Sequence, residues 1–209
     1  LAIQHNGVWV VIRFYYQPGD EGVLLGYQTV QYPYVPSGGW APWVYVGTNG
    51  YLYFGDYVNG YFQVTFQLTP GWHTLVAGEY YSSGNYYVYA CLDTPSNCQS
   101  KGIQYTLQLF NTVTPYGDIG TGYSGGWPYT NGGWFFYTGV IDYVALYPGG
   151  PSEGTNLINN GVFNIASQQE SSVPGYAVDY PPNGVEPIVV GAYASTPVGL
   201  SILLPSQLG

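Results

Sequence analysis

The chain has 209 residues, of which only 6% are charged, and it carries a net charge of −9 with two basic side chains, Arg13 and Lys101. No basic patch exists to neutralise phosphates, which argues against nucleic acid and against an anionic membrane surface as partners. The chain is nonetheless 46% hydrophobic and 19% aromatic, so its composition is that of a folded protein, and its heavy use of Gly, Pro and Tyr favours short strands joined by tight turns.

In chain order, apolar and aromatic runs predict strands over 8–17, 23–32, 42–47, 51–55, 61–68, 73–81, 85–92, 104–110 and 134–147. Thr48-Asn49-Gly50 predicts a type I′ hairpin turn, Val58-Asn59-Gly60 a second one, and Ser82-Ser83-Gly84-Asn85 joins two Tyr-rich strands. No stretch of ten residues has helical periodicity. The best short helix is 155–161, with Gly161 as its stop. Residues 122–133 form a loop rich in Gly and aromatics.

Cys91 and Cys98 flank a turn-rich loop, and a disulfide pinning it is the expected arrangement; a metal site would need further Cys or His nearby. An oxidising compartment follows. No signal peptide is visible and the sequence has no Met, so a mature product with its leader removed is expected. No Asn-x-Ser/Thr acceptor for N-glycosylation occurs. A surface that owes its solubility to Tyr, Ser, Thr, Asn and Gln has few ion pairs to lose in acid, which points to an acidic extracellular setting. Six Asn-Gly pairs argue against long life in hot neutral water.

The character changes at Pro148-Gly149-Gly150-Pro151. The main domain is placed at 1–149 and a C-terminal extension at 150–209, ending in a tail without charge after Glu186. A membrane span needs about 20 apolar residues in one helix. Pro187, Pro197 and Pro205 bound two shorter pieces, interrupted by Gly191 and Gly199, so the tail is not read as a membrane span. The pieces carry Ile188, Val189, Val190 and Tyr193, then Val198, Leu200, Ile202, Leu203 and Leu204, and both are strand-sized. Such a tail either covers its own domain or completes another subunit's sheet. The second is favoured, because an uncovered apolar strand invites aggregation.

Two stretches, 71–92 (GWHTLVAGEYYSSGNYYVYACL) and 134–147 (WFFYTGVIDYVALY), resemble laminin-G-like modules of the concanavalin A-like superfamily. The likeness rests on Trp72-His73, on Phe136, Gly139, Ile141, Asp142, Val144 and Tyr147, and on Gly117-Asp118-Ile119-Gly120 between them; it covers roughly 8–162. The usual Asp-Gly after the hairpin is replaced by Cys91-Leu92-Asp93. The resemblance implies an all-β, antiparallel jelly-roll sandwich, which the strand count and the lack of long helices favour independently. It also implies a structural role for His73 and a loop-tying role for Asp142.

His5 sits in an N-terminal arm with no visible partner. Some laminin-G-like modules bind calcium, and Asp56, Asp118 and Asp142 are the candidate ligands; no dense acidic run supports such a site, and no cofactor is expected. Glu79-Tyr80-Tyr81 is similar to the nucleophile context of family-eleven xylanases, but Glu170-Ser171-Ser172 matches the acid's context poorly, so Glu79 is expected to be an outward strand residue. Trp40, Trp43, Trp127, Tyr129 and Trp134 are expected in loops, as glycan or protein contacts or as packing. The expected function is non-enzymatic: a self-assembling extracellular protein, either a cell-surface filament subunit or a virion component, partnered by itself. A carbohydrate-binding or surface-binding adhesin is the alternative, and a jelly-roll glycoside hydrolase the lesser one.

Overall fold

The computed structural model describes residues 6–55, 63–103, 116–159 and 163, together with the backbone of 189–191, 194–195 and 200–203. Two antiparallel sheets pack face to face, as in a sandwich and compatibly with a jelly roll. In chain order the strands are β1 (Gly7–Tyr16), β2 (Gly22–Gln28), β3 (Trp40–Val46), β4 (Tyr51–Phe54), β5 (Val64–Gln67), β6 (Gly71–Ser82), β7 (Asn85–Leu92), β8 (Cys98–Ile103), β9 (Tyr116–Ile119) and β10 (Val140–Pro148). Helix α1 (Pro151–Asn159) follows, then β11 (Val189–Gly191), β12 (Ala194–Ser195) and β13 (Leu200–Leu203). The first sheet runs β11-β10-β1-β6-β7-β8, with β12 also on β10; the second runs β13-β9-β2-β3-β4-β5. Among the described residues no helix is long and apolar enough to cross a membrane.

Strand alternation builds the core. Val8, Val10, Ile12 and Phe14 of β1, Leu75 and Ala77 of β6, and Val88 and Ala90 of β7 face the second sheet's Leu25, Tyr27, Val44, Leu52 and Phe54. The opposite face of the first sheet is buried as well. There Trp9, Val11, Val76, Cys91, Ala145 and Tyr147 pack under Leu157 of α1 and Phe163.

Trp9 fixes that second layer. A Cβ on Gly78 would lie 2.3 Å from its ring, and one on Gly154 of α1 would lie 2.0 Å away, so only glycine fits on either side. Its Nε1 donates to the Gly150 carbonyl at 2.9 Å, and Tyr80 stacks on it at 5.6 Å. The helix thus lies immediately past the boundary expected at 149 and packs back onto β1 and β6. It begins at Pro151 rather than at 155, because a proline at the first helical position loses no hydrogen bond there.

Other expectations shift with local geometry. The turn after β3 is not type I′, which needs a positive φ at both central residues. Here Gly50 alone has one (76°), and its N–H donates to the Gly47 carbonyl at 2.9 Å. The strand expected over 134–147 forms its ladder only from Val140; Trp134 and Phe136 make isolated bridges to Tyr123 and Val23. β8 lay outside every predicted strand, β9 falls where the resemblance places a strand start at Gly117-Asp118-Ile119-Gly120, and 104–110 lies outside the described residues.

The tail strands pair within their own chain. Val189, Val190 and Gly191 oppose Leu146, Ala145 and Val144; Ala194 and Ser195 oppose Ile141 and Val140; Leu200, Ser201, Ile202 and Leu203 oppose Ile119, Asp118, Gly117 and Tyr116. In the single chain the tail therefore occupies the edges of its own two sheets, where completion of another subunit's sheet had been favoured. Ile188, Tyr193, Val198 and Leu204 lie outside the described residues.

Gly78→Val tests the Trp9 contact. Overpacking a filled site typically costs 1–3 kcal/mol, and a contact this close puts the expected loss at about 3 kcal/mol by chemical denaturation. Val at an open strand position such as Gly102, where the nearest atom to a Cβ lies at 3.9 Å, is the control with little effect.

Candidate functional site

The outer face of the second sheet is an aromatic surface. Tyr45 of β3 and Tyr53 of β4 oppose each other across the ladder, and their rings stack at 4.8 Å and 5°. The 122–133 loop folds over them as a hydrogen-bonded unit. Ser124 Oγ donates to the Gly133 carbonyl, Thr130 Oγ1 donates to the Ser124 and Trp127 carbonyls, and Asn131 Nδ2 donates to the Trp134 carbonyl. The loop sets Trp127 edge-on to Tyr45 at 6.3 Å and takes the Tyr45 hydroxyl on the Pro128 carbonyl.

Tyr129 extends the stack over Tyr53 at 6.0 Å and is 56% exposed. Its φ of 53° is in the left-handed region, which a bulky side chain rarely adopts. The main chain is held there by Thr48, whose N–H donates to the Tyr129 carbonyl at 2.9 Å. Tyr53 has its hydroxyl pKa raised by burial, an effect that Asn49 Nδ2, donating to its oxygen, partly offsets and that Tyr129 and Tyr51 reinforce.

A second aromatic group lies on the other flank of the same loop. Trp40 meets Tyr123 at 5.3 Å, Tyr123 meets Trp134 at 5.8 Å, and Trp134 meets Tyr32 at 5.1 Å, all near edge-to-face. Beyond them Tyr34 and Val35 stand exposed on the 29–39 loop. Of the five aromatics expected in loops, Trp40 and Trp134 therefore meet through Tyr123, while Trp127 and Tyr129 sit over Tyr45 and Tyr53. Trp43 is a correction: it lies within the strand expected over 42–47 and is completely buried in the core against Tyr27 and Phe54, not a contact residue, while Trp40 opens the same strand rather than lying in a loop. The β2–β3 register slips so that Pro42 and Trp43 together oppose Gly26, and this bulge turns Trp43 inward. Tyr32, Tyr45, Tyr53 and Tyr123 were not singled out from sequence. Alternation in Tyr51-Leu52-Tyr53-Phe54 was the available signal for Tyr53.

The titratable candidates all hold structure together. Arg13 Nη1 pairs with Asp142 Oδ2 at 2.7 Å, and its guanidinium lies 4.2 Å from the centre of the Trp72 ring. A bulge in β10 places Asp142 there: Arg13 opposes Tyr143 while Phe14 opposes Ile141. Asp118 is buried and accepts from Gln28 Nε2. Among the described residues no group of three His, Cys, Asp or Glu side chains could hold a metal ion; Asp56 lies outside them, as do His5 and Glu170.

Glu79 is the second correction, since it is completely buried rather than outward. It shares the inner face of β6 with Leu75 and Ala77, opposite Val8, and its charge adds to the burial that raises the Tyr27 hydroxyl pKa. Cys91 and Cys98 form the expected disulfide, closing directly opposed positions of β7 and β8.

Inside that disulfide loop Asp93 holds His73. The two ring nitrogens of His73 lie 2.7 Å from Asp93 Oδ2 and 2.7 Å from the Thr69 carbonyl, while Asp93 Oδ1 accepts the Thr74 N–H at 2.8 Å. Two acceptors facing one ring favour the imidazolium.

A comparison with protein-family models finds no match, and a comparison with curated proteins finds none either.

The His73 contacts set a direction with pH. Burial alone would lower its pKa, but the Asp93 carboxylate and the Thr69 carbonyl outweigh that and raise it above the ordinary 6.5. A raised folded-state pKa gives stability that is complete below the unfolded value and is lost as pH rises through the folded one. The stability difference between the wild type and His73→Gln is therefore largest below about pH 6 and narrows above pH 6.5 as the raised pKa is passed. Denaturant midpoints of both proteins across pH 4–9 check this; a difference constant with pH refutes it.

Proposed function

We propose that this chain is a non-enzymatic, extracellular structural protein that self-assembles, as a cell-surface filament subunit or a virion component, with its C-terminal tail as the joint. The observation that carries the reading is the placement of the tail. β9 and β10 are neighbouring edges on one side of the sandwich, and the tail lays strands on both. Pairings closed within one chain by a tail that follows a long connector are equally available between two chains, through exchange of the same strands. A contact of that kind that does not close on itself grows into a filament. The disulfide and the near absence of charge suit an exposed, oxidising setting. Within this reading the sandwich is laminin-G-like: the two strands that carry the resemblance, β6 with Trp72-His73 and β10 with Ile141, Asp142, Val144 and Tyr147, flank β1 on either side.

Electron microscopy of the full chain is the direct test. Filaments are expected from the wild type at high concentration. Val190→Asp together with Ile202→Asp is expected to abolish them while leaving the disulfide and the far-ultraviolet spectrum of the sandwich intact. A wild type that stays a monodisperse monomer, with its tail protected from protease, overturns the proposal.

One observation favours adhesion as a second reading. Tyr129 has a left-handed main chain, is exposed and has its carbonyl tied to the Thr48 N–H, and an aromatic face presented this way suits stacking against a neutral sugar ring. This reading expects glycan-array binding that Tyr129→Ala or Trp127→Ala weakens about tenfold, the effect of losing roughly 1.4 kcal/mol. An array without hits removes it.

A further inference from the structure

Among the described residues, β5 and β8 end the two sheets on the side opposite the tail. Among the described residues no strand lies beyond β5. Its outward main-chain groups at Thr65 are nevertheless occupied. The Thr65 N–H donates to Gln99 Oε1 at 3.3 Å, and Gln99 Nε2 donates to the Thr65 carbonyl at 2.5 Å. One side-chain amide thus takes both groups that an incoming strand would use at that residue.

The placement follows from the ladder. Gln99 opposes Ala90 on β8, and Ala90 opposes Ala77, so all three side chains share the inner face of the first sheet. The two alanines are core residues. Gln99 stands at the rim of that row, long enough to cross to the edge of the other sheet. Lys101, the chain's one lysine, is two residues further on the same face. Lysines and covered main-chain groups at an edge are known ways to stop strands from adding.

We propose that Gln99 closes the β5 edge against strand addition by a second copy of this chain, so that association through strands is confined to the tail edge. The idea rests on the reading of this chain as one that pairs strands between copies, and it adds a direction to it: one side of the sandwich exchanges strands and the other refuses them. A Tyr-rich chain with only 6% charged residues has few repelling charges to keep an open edge apart, which makes such a block useful. An open β5 edge would otherwise turn single files of subunits into laterally fused bundles.

Full-length Gln99→Ala is compared with the wild type by sedimentation and electron microscopy, after matched melting curves establish that both are folded. The variant is expected to gain lateral association, seen as a several-fold rise in the pelleted fraction and as bundles or side-by-side pairs. Thr65→Pro added to Gln99→Ala then removes the N–H at the opened edge, where a proline is tolerated because that group faces away from β4. The double variant is expected to return to wild-type association. Unchanged association in Gln99→Ala, or a gain that survives Thr65→Pro, overturns the proposal. If the wild type never forms filaments, the proposed function fails by itself, while the gain in Gln99→Ala and its reversal remain readable as a change from monomer to pairs.

Discussion

The packing of Trp9 between Gly78 and Gly154 determines what kind of sandwich this is. A sheet in a two-layer sandwich normally shows one face to water, and its strands alternate accordingly. Here the indole needs a roof, which Gly150 supplies through its carbonyl just before α1 and α1 supplies through Leu157. The first sheet therefore carries apolar side chains on both faces, Val8 and Val10 inward, Trp9 and Val11 outward. The price is paid in specificity of sequence: two glycines at fixed places and a proline-started helix of the right length.

With both faces of one sheet covered, several of the described charged side chains are used locally. Arg13 is held between Asp142 and Trp72 where the helix no longer covers the face. His73 is held by Asp93 where the β6–β7 hairpin meets the disulfide loop. Glu153 sits in the first turn of α1 with its pKa raised by burial. A carboxyl whose pKa is raised on folding, like a histidine whose pKa is raised, contributes most below its unfolded value and loses that contribution as pH rises. Both shifts thus favour an acidic medium, in the same direction as the scarcity of ion pairs.

The sequence was legible where a strand obeys one rule. β1, β6 and β7 stood at nearly their observed bounds because they are long, aromatic and β-branched. It was not legible where two rules compete. Glu79 looked outward because a carboxylate beside Gly78 and Tyr80 fits an exposed alternation, but Trp9 had already claimed the outward side. Trp43, although inside the strand expected over 42–47, looked like a contact residue beside Pro42, and only the slip of β3 against Gly26 shows that the bulge turns it into the core. β8, reading CQSKGI, has no apolar pattern at all; it is a strand because the disulfide and the β7 ladder hold it there. The aromatic surface was half legible: the loop tryptophans stood out, while Tyr45 and Tyr53 beneath them passed as core.

The edges give the molecule a polarity that its faces do not. On the β9 and β10 side, main-chain groups are satisfied by segments far along the chain, beyond a connector of more than twenty residues. Closing so long a loop costs little more entropy within the chain than a shorter one would, because the cost grows only logarithmically with length. In the assembly proposed above, the choice between a subunit's own tail and a neighbour's would therefore be set mainly by local concentration. On the β5 side, among the described residues, the Thr65 main chain is taken by Gln99 of β8, the facing edge strand of the other sheet, held by the same disulfide-tied ladder that carries Cys98. One side of the sandwich is thus closed by strands from far along the chain and the other, at Thr65, by one local side chain, an asymmetry that the proposed growth in one dimension would use.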